Sequence, residues 1–370
     1  MTSPPSSLQH TPLHGLHVVL GAKMAPFAGY DMPLHYAAGI LGEHKHTRAS
    51  ASLFDVSHMG QARLYGDEAA AALERLVPGD IQALAKGRMR YSLLTSAAGG
   101  ILDDLMITRM EDHFYVVYNA ARKDVDERHI TAHLLPAGCT LEVMADQALI
   151  ALQGPAAAAA LGRHAPGAPA LSFLSAASMA VAGAPAIVSR SGYTGEDGYE
   201  ISLPAAMAQD VARALLGEPE VAAAGLGARD SLRLEAGLCL YGADIDETTS
   251  PIEAGLAWTI GKRRKIEGGF LGAEPIMAQL FDGPPRRRVG ILPDGRAPAR
   301  AHTPILDADG APVGEVTSGG FSPTLGRPIA MGYVATDFAT DGAPVGLEIR
   351  GRVRPGHIAP MPFVPHHYKR

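Results

Sequence analysis

A glycine turn followed by two adjacent acidic residues is the segment that most constrains the fold of this chain. The turn Gly99–Gly100 lies between two apolar segments, Tyr91–Thr95 and Ile101–Thr108, a pattern typical of a β-hairpin. The second segment carries Asp103 and Asp104 where a buried strand normally has apolar residues. Because successive side chains of a strand point to opposite sides, we predict a hairpin whose second strand presents one carboxylate on each face.

These two carboxylates should have different surroundings. Asp103 is expected on the face that also carries Ile101 and Leu105, and Asp104 on the face that carries Met106. A carboxylate on an apolar face is costly to ionise, so its pKa rises unless a partner compensates. Only one of the two can serve a given pocket. The alternative is a structural role in an edge strand or turn, because structural networks also perturb carboxylates.

The distribution of turn residues predicts several domains. A chain of 370 residues exceeds a single ordinary core, and its 42 glycines and 28 prolines imply many turns and short strands. Up to residue 283, strands and helices alternate without long parallel β-α-β units, which favours an α+β fold. From residue 284, short β-like segments bounded by Gly, Pro or Asp predict a small β-barrel or sandwich. We expect a division into residues 1–283 and 284–370.

Two helix predictions bear on the later analysis. Ala120–Leu135 has helical spacing, with Val125 and Ile130 on the predicted buried face. A second helix is expected over Ser231–Leu238, with Asp230 as its N-cap.

Composition and charge indicate a globular protein without a nucleic-acid or membrane partner. Hydrophobic residues make up 47% of the chain and charged residues 19%, and the net charge is −6. No apolar run approaches the roughly 18 residues of a membrane span. Met1–Pro12 has neither an apolar core nor arginines, so we expect a loose arm, no signal or transit peptide, and a cytoplasmic location. Cys139 and Cys239 are expected to be buried thiols.

The motifs of several common catalytic centres are missing from the sequence. It has no Walker loop and no Gly-x-Ser-x-Gly elbow, and Gly225-x-Gly227 lacks the third glycine of a dinucleotide site. Two groups of histidines have no third ligand at metal-like spacing and are expected on the surface: His10, His14 and His17, and His44 and His46. The sequence therefore predicts neither a metal site nor a nucleotide site. An enzyme of this kind depends on positioning, acid–base groups and a cofactor with its own reactivity.

One further acidic residue follows a glycine-rich segment. Glu200 ends the segment Gly192–Glu200 and begins an apolar strand, so its carboxylate should be partly enclosed. A carboxylate can accept two parallel N–H donors, and Arg229 is a natural partner. The pair is therefore either a structural ion pair or a site that recognises an amidine-like or guanidine-like edge of a ligand.

Five segments, in the same order along the chain, resemble the T protein of the glycine cleavage system, a family of tetrahydrofolate-dependent aminomethyltransferases. These segments are Phe54–Gly60, Gly99–Leu105, Gly192–Glu200, Gly225–Ala236 and Ser318–Gly326. The resemblance implies three domains in a cloverleaf around a central folate pocket, the last of them a β-barrel. It also implies that lipoylated H protein delivers an aminomethyl group whose methylene passes to tetrahydrofolate, with release of ammonia and dihydrolipoyl H protein. The glycine-decarboxylating and dihydrolipoyl dehydrogenase components are then functional partners.

The resemblance also implies roles for individual residues. Asp104 is expected to act at the reactive nitrogens of the folate, with Asp103 facing away. Glu200 is expected to hold the amino edge of the pterin, and Arg229 to contact the ligand. Further positions implied to line the pocket are Tyr193, Tyr91, Met59 and Asn119, together with Tyr368, which closes over the ligand in some members.

Three relatives of this fold offer other functions. The folate modules of dimethylglycine and sarcosine oxidising enzymes accompany a flavin domain that this chain lacks, and the Phe54–Gly60 segment disfavours a folate-dependent demethylase. A non-catalytic folate-binding protein would carry a Lys-Gly-Cys-Tyr-type motif, which neither Cys139 nor Cys239 belongs to. The runs Lys262–Lys265 and Arg286–Arg288 are expected in solvated loops, and the first is hypothesised to steer the acidic H protein.

Overall fold

The computed structural model describes residues 7–369. Its strands are, in chain order, β1 (Lys23–Phe27), β2 (Tyr30–His35), β3 (Ala51–Asp55), β4 (Gly60–Tyr65), β5 (Met89–Thr95), β6 (Ile101–Arg109), β7 (Phe114–Tyr118), β8 (Thr140–Val143), β9 (Gln147–Gln153), β10 (Ala176–Val181), β11 (Ala184–Ser189), β12 (Gly198–Pro204), β13 (Val221–Ala223), β14 (Arg286–Pro293), β15 (Pro304–Leu306), β16 (Pro312–Ser322), β17 (Arg327–Ala335), β18 (Pro344–Ile349) and β19 (Arg352–Ala359). Its α-helices are α1 (His14–Val19), α2 (Gly39–Ala49), α3 (Ala69–Glu74), α4 (Lys123–Leu134), α5 (Ala157–His164), α6 (Ala208–Leu216), α7 (Leu226–Glu235), α8 (Lys262–Glu267) and α9 (Ala273–Asp282).

The described residues that precede the barrel form two large sheets and the two-stranded sheet β1-β2. One large sheet is antiparallel, in the order β5-β6-β7-β4-β8, and its core includes residues of α3 and α4. The other has the order β10-β11-β12-β9-β3-β13, with β13 parallel to β3, and shares a core with α5 and α6. A third apolar cluster joins the two sheets to α7 through Val117, Ala151 and Ala228. The ends of the strands at this junction therefore hold a fixed position relative to α7.

The C-terminal strands close into a barrel in the order β14-β17-β16-β15-β18-β19. Closure pairs every strand on both sides and leaves no exposed edge. The barrel packs against α7, where Leu234 contacts Ile329 and Met331. This mixed architecture with a small closed C-terminal barrel confirms the predicted α+β fold class. Within residues 7–369, no helix is long and apolar enough to cross a membrane.

The predicted hairpin is present, and its alternation is as expected. Strands β5 and β6 pair antiparallel, with Leu93 opposite Asp104. Asp103 is fully buried with the apolar face of the sheet, whereas Asp104 is partly exposed on the other face. The turn requires its glycines: Gly99 has a φ of +89°, and a Cβ on Gly100 would lie 1.8 Å from the carbonyl oxygen of Glu247.

The N-terminal segment is less loose than predicted. Residues 1–6 of the expected loose arm lie outside the described residues, so the prediction is untested there. Beyond them, Gln9 forms a β-bridge with Tyr30, and the Thr11 hydroxyl donates to Asp55 at 2.6 Å. The arm is therefore anchored from Gln9 onward. Cys139 and Cys239 are buried free thiols, as predicted.

Two details of the helix predictions were wrong. Asp230 is not an N-cap, because α7 already begins at Leu226, and Asp230 instead pairs with Arg233 at 2.8 Å. On α4 the buried face carries Asp126 and Ile130, while Val125 is 36% exposed. The spacing of apolar residues misplaced this face because one of its buried positions is acidic.

The two basic runs do not lie in solvated loops. Lys262–Lys265 begins helix α8, where Arg263 donates to Glu74 at 2.6 Å and Arg264 is buried. Arg286–Arg288 opens strand β14, and the Arg288 guanidinium donates to main-chain carbonyl groups. Sequence neighbours alone do not show these partners, which are distant in the chain.

The surface assignment of the histidines was wrong for two of them. His17 is buried between the Tyr36 hydroxyl at 2.8 Å and Asp55 at 2.9 Å. His44 is buried too, with Ser231 at 2.7 Å and Glu235 at 3.1 Å from its ring nitrogens. Both rings fill polar positions in the core, where their two nitrogens have partners.

We predict that Gly100→Ala destabilises the protein by about 1–3 kcal/mol, because the new methyl group would overlap a main-chain oxygen that cannot rotate away. Urea or thermal unfolding measures the change. Gly167→Ala is the matched control, since its Cβ would have Met179 as its nearest neighbour at 3.8 Å, an ordinary contact. Equal stability of the two variants would contradict the close approach at Gly100.

Candidate active site

Asp104 is held by two donors on neighbouring strands. The Tyr91 hydroxyl on β5 donates to Asp104 Oδ2 at 3.0 Å, and the Asn119 side-chain amide donates to Asp104 Oδ1 at 2.7 Å. Asn119 follows directly on β7, at the end of the strand that pairs with β6. The carboxylate is therefore fixed in orientation by residues on both sides of its own strand.

The same amide links the two adjacent carboxylates. Asn119 Nδ2 lies 2.8 Å from Asp103 Oδ1, and the Asn119 main-chain N–H donates to Asp103 Oδ2 at 3.1 Å. Asp103 faces away from Asp104, as alternation requires, but it is coupled to Asp104 through this single side chain. The expectation that only one carboxylate of the pair serves the pocket is therefore incomplete, because the Asn119 side chain links Asp103 to Asp104.

The surroundings of Asp104 favour its protonated form. Desolvation by the protein, and next the charge of Asp103, raise the pKa of Asp104 to about 7, against the opposing hydrogen bonds from Tyr91 and Asn119. A carboxyl with a pKa in this range can accept and return a proton near neutral pH. Asp104 is therefore the candidate acid–base group of this site.

Glu200 and Arg229 lie near each other without forming an ion pair. Among residues 7–369, no contact of 4.0 Å or less joins their charged atoms, and the Arg229 guanidinium donates to no protein acceptor. Glu200 accepts a hydrogen bond from the Ser191 hydroxyl at 3.0 Å. Burial raises the pKa of Glu200 and lowers that of Arg229. The structural ion pair considered from the sequence is therefore not formed, and both groups keep hydrogen-bonding capacity.

Tyr193 connects the two ends of this site. Its hydroxyl donates to the main-chain carbonyl of Cys239, and the Arg229 guanidinium lies over its ring at 4.6 Å from the centroid. Burial raises the pKa of Tyr193; the charge of Arg233 opposes this effect, and that of Asp104 adds to it. A ring between a carboxylate and a guanidinium offers a flat surface for an aromatic ligand.

The loop that carries Tyr193 is built around one buried amide. Gln153 donates to the Ser191 carbonyl at 2.9 Å and accepts from the Thr194 hydroxyl at 2.8 Å. A Cβ on Gly192 would lie 1.8 Å from Gln153 Oε1, so only glycine fits beside this amide. The glycine-rich segment is therefore a rigid support for Tyr193.

The remaining predicted site residues divide into two groups. Met59 packs against the apolar cluster that joins the two sheets, together with Met106. Tyr368 stacks on Phe173, with ring centroids 4.1 Å apart, and lies beside His366. The contacts of Tyr368 are thus with the C-terminal tail and its supporting loop, and not with Asp104 or its partners among the described residues.

Sequence reasoning missed one aromatic residue at this site. Trp258 is 63% exposed and stacks on Tyr91, with ring centroids 5.5 Å apart. A lone tryptophan in a 3₁₀ turn carries no periodic signal. The available sign of a special role was that Trp258 is the single tryptophan of the sequence.

A histidine group has the spacing of a metal site. His10 and His14 stack with ring centroids 3.7 Å apart, and Asp31 of β2 lies 2.9 Å from His14 Nε2. Among the described residues, this is the group of three whose ligand atoms lie within 4.8 Å of one another. The sequence analysis considered only neighbours in the chain and did not include Asp31, which supplies a third potential ligand atom. The absence of a metal site stays a prediction.

Comparisons with known proteins agree along the whole chain. Residues 13–264 match the family model of the GCVT N-terminal domain, and residues 286–365 match that of the glycine cleavage T-protein C-terminal barrel domain. A mitochondrial aminomethyltransferase of Gallus gallus is 48% identical, over 100% of this chain and 95% of its own length. A probable mitochondrial aminomethyltransferase of Schizosaccharomyces pombe is 45% identical, over 99% of this chain and 96% of its own length.

A solved structure gives the same result. The glycine cleavage system aminomethyltransferase T from Bartonella henselae superposes with a TM-score of 0.94 at 42% identity, covering 98% of this chain and 100% of its own. The family models and the full-length relatives agree on one assignment. The chain belongs to the glycine cleavage T-protein family and is an aminomethyltransferase of the glycine cleavage system.

Proposed function

We propose that this aminomethyltransferase binds tetrahydrofolate between Asp104 and Glu200 and receives the aminomethyl group from lipoylated H protein at the Asp104 end. Two folate nitrogens form bonds to the methylene carbon, and the bonds from that carbon to the amine and to the lipoyl sulfur break. The two N–H protons leave with ammonia and the dihydrolipoyl thiol. The products are 5,10-methylenetetrahydrofolate, ammonia and dihydrolipoyl H protein.

The observation that carries this proposal is the separation of Glu200 from Arg229. Two enclosed groups of opposite charge that do not pair with each other keep their donors and acceptors for a ligand. A pterin edge presents parallel N–H donors suited to the Glu200 carboxylate, and its carbonyl suits the Arg229 guanidinium. The ring of Tyr193 then packs beside the pterin, with Met59 at the apolar edge.

Asp104 has the properties that the proton transfers require. Tyr91 and Asn119 aim its two oxygens, and its raised pKa matches the working pH of a general base. We propose that it takes a proton from a folate nitrogen as that nitrogen attacks. Tyr368 keeps its proposed role in closing over the ligand, which requires the C-terminal tail to leave its contact with Phe173.

The domain division and the cellular compartment remain predictions. A boundary near residue 284 is supported by the short connection between α9, which ends at Asp282, and the first barrel strand, which begins at Arg286. The cytoplasmic location is an expectation from the sequence. The similar aminomethyltransferases are named mitochondrial, and that description applies to those proteins.

We predict that Asp104→Asn lowers folate-dependent ammonia release from aminomethyl-loaded H protein by about a hundred- to ten-thousand-fold, because general-base help is lost. Folate binding should survive, since the Asn119 contact can remain. The raised pKa means that ionised Asp104 opposes folding at pH 8, so the variant should melt no lower than the wild type. Asp341→Asn, at an exposed site, is the control. Unchanged turnover in Asp104→Asn would refute the assigned role.

We predict that wild-type kcat falls as the pH drops through about 7, where Asp104 takes up a proton and can no longer act as a base. The rate should fall tenfold per pH unit below that pKa and level off above it. Asp104→Asn should lack this limb of the profile. A wild-type profile that is flat from pH 5 to 8 would contradict the assignment.

We predict that Glu200→Gln weakens tetrahydrofolate binding by about ten- to a hundredfold, with a smaller effect on kcat at saturation, because one charged acceptor of the pterin edge becomes neutral. Isothermal titration with tetrahydrofolate measures the affinity. Glu348→Gln, on an exposed barrel position, is the control. An equal affinity of the two variants would remove Glu200 from the binding site.

The steering hypothesis for the basic run narrows to its two lysines, of which Lys262 is exposed and Lys265 is half-buried. Arg263 is paired with Glu74, and Arg264 is buried, so Lys262 and Lys265 remain as candidates. We predict that replacing both with Ser lowers the association rate with H protein at low salt and has little effect at high salt. Replacement of Lys45 and Lys86 by Ser is the charge-matched control. Equal association rates of the two double variants would end the hypothesis.

A further inference from the structure

A carboxyl group that the proposed chemistry does not use is buried beside the candidate site. Asp126 lies in the first turn of α4 and is 0% exposed. Neither of its oxygens accepts a hydrogen bond from an N–H group or a hydroxyl of residues 7–369. A buried carboxylate without a donor is costly, so this side chain is expected to carry a proton or to find an unusual partner.

The partner that the structure provides is a second carboxyl group. Asp126 shares the buried face of α4 with Ile130, which packs in one core with residues on the face of β6 that carries Asp103. Asp103 in turn accepts both hydrogen bonds of Asn119, whose amide also holds Asp104. A continuous path therefore runs from α4 through Asp103 and Asn119 to the candidate acid–base group.

We infer that Asp126 is protonated at neutral pH and donates its proton to Asp103, and that it thereby acts as a positioning residue for Asp104. This inference rests on the proposed function of Asp104. With the proton shared, the two buried carboxyls carry a single negative charge. This single negative charge accepts the hydrogen bonds of Asn119. It is also smaller than the charge that Asp104 would face if both carboxyls were ionised.

The charges around Asp126 agree with a shared proton. Burial first, and then the hydrogen bond and charge of Asp103, raise the pKa of Asp126. Burial also raises the pKa of Asp103, whereas hydrogen bonding with Asp126 lowers it, as expected for two buried carboxyls that share one proton. The titratable and charged groups that face Asp126 are Asp103, Asp104, Arg122, Tyr118 and Tyr241. Arg122, the cation of this group, also binds the carboxylate of Glu247 at 2.9 Å.

Two substitutions distinguish a positioning role of Asp126 from a role in core packing alone. Asp126→Asn keeps a neutral donor toward Asp103, so its pH profile of kcat should match the wild type and its rate should stay within about threefold. Asp126→Ala removes the donor, so the negative charge of Asp103 is no longer shared with a proton. With more negative charge beside it, Asp104 should ionise at higher pH, which moves the acidic limb up by about one pH unit. Asp124→Ala, at an exposed position of the same helix, is the control.

The outcomes decide the inference. An acidic limb that moves to higher pH in Asp126→Ala, with a normal limb in Asp126→Asn, supports the inference. An acidic limb in Asp126→Ala that is unchanged or moves to lower pH overturns it. If Asp126→Ala fails to fold, carbon-13 spectra of aspartate-labelled wild type and Asp126→Asn decide instead. One carboxyl signal, absent from Asp126→Asn, should stay protonated up to pH 8. Its titration below pH 5 would overturn the inference. Wild-type protein without folate-dependent ammonia release would refute the proposed function, and the spectra would still test the shared proton.

Discussion

The hydrogen bonds of a single carboxamide, that of Asn119, organise the candidate site. Its amide donates to Asp103 and Asp104, which point to opposite faces of the same strand. Strand β7 ends at Tyr118, which pairs with Leu105 in the middle of β6. This position places the side chain of the next residue, Asn119, beside both carboxylates. The pairing of two strands thus fixes the distance between a structural carboxylate and the proposed acid–base group.

The other end of the site depends on an interaction that the fold leaves unmade. Glu200 is placed by a central strand and Arg229 by a helix, and the packing of these two elements keeps the charged groups apart. The Glu200 carboxylate and the Arg229 guanidinium both lose hydration when the protein encloses them, and no ion pair between them compensates for this loss. The protein is therefore less stable at this position than a paired or apolar arrangement would make it. A ligand whose groups pair with Glu200 and Arg229 offsets this desolvation cost, so the bound protein is more stable than the free protein.

Local sequence patterns predicted the structural features that follow from the two-residue period of a strand and from the residues of a turn. The alternation of Asp103 and Asp104, the hairpin and a small all-β C-terminal part follow from such patterns, and the structure has all three. The patterns left a barrel and a sandwich open, and the structure has a barrel. The patterns failed where a polar residue occupies a core position. Val125 was assigned to the buried face of α4 because it is apolar, whereas Asp126 lies there. No local rule identifies such a residue, because its partner is 23 positions earlier in the chain and on another element.

The barrel holds helix α7, which carries Arg229, in its position. Arg233, one turn after Arg229, is buried and bonds Asp244 at 2.6 Å and the Ser318 hydroxyl of β16 at 2.9 Å. Thr317, the neighbour of Ser318, donates to the other oxygen of Asp244 at 2.6 Å. These contacts prevent α7 from rotating or sliding along its axis, because a shift of either kind breaks buried charged hydrogen bonds. Since Arg229 lies on the same helix, these contacts help to hold its guanidinium over the ring of Tyr193.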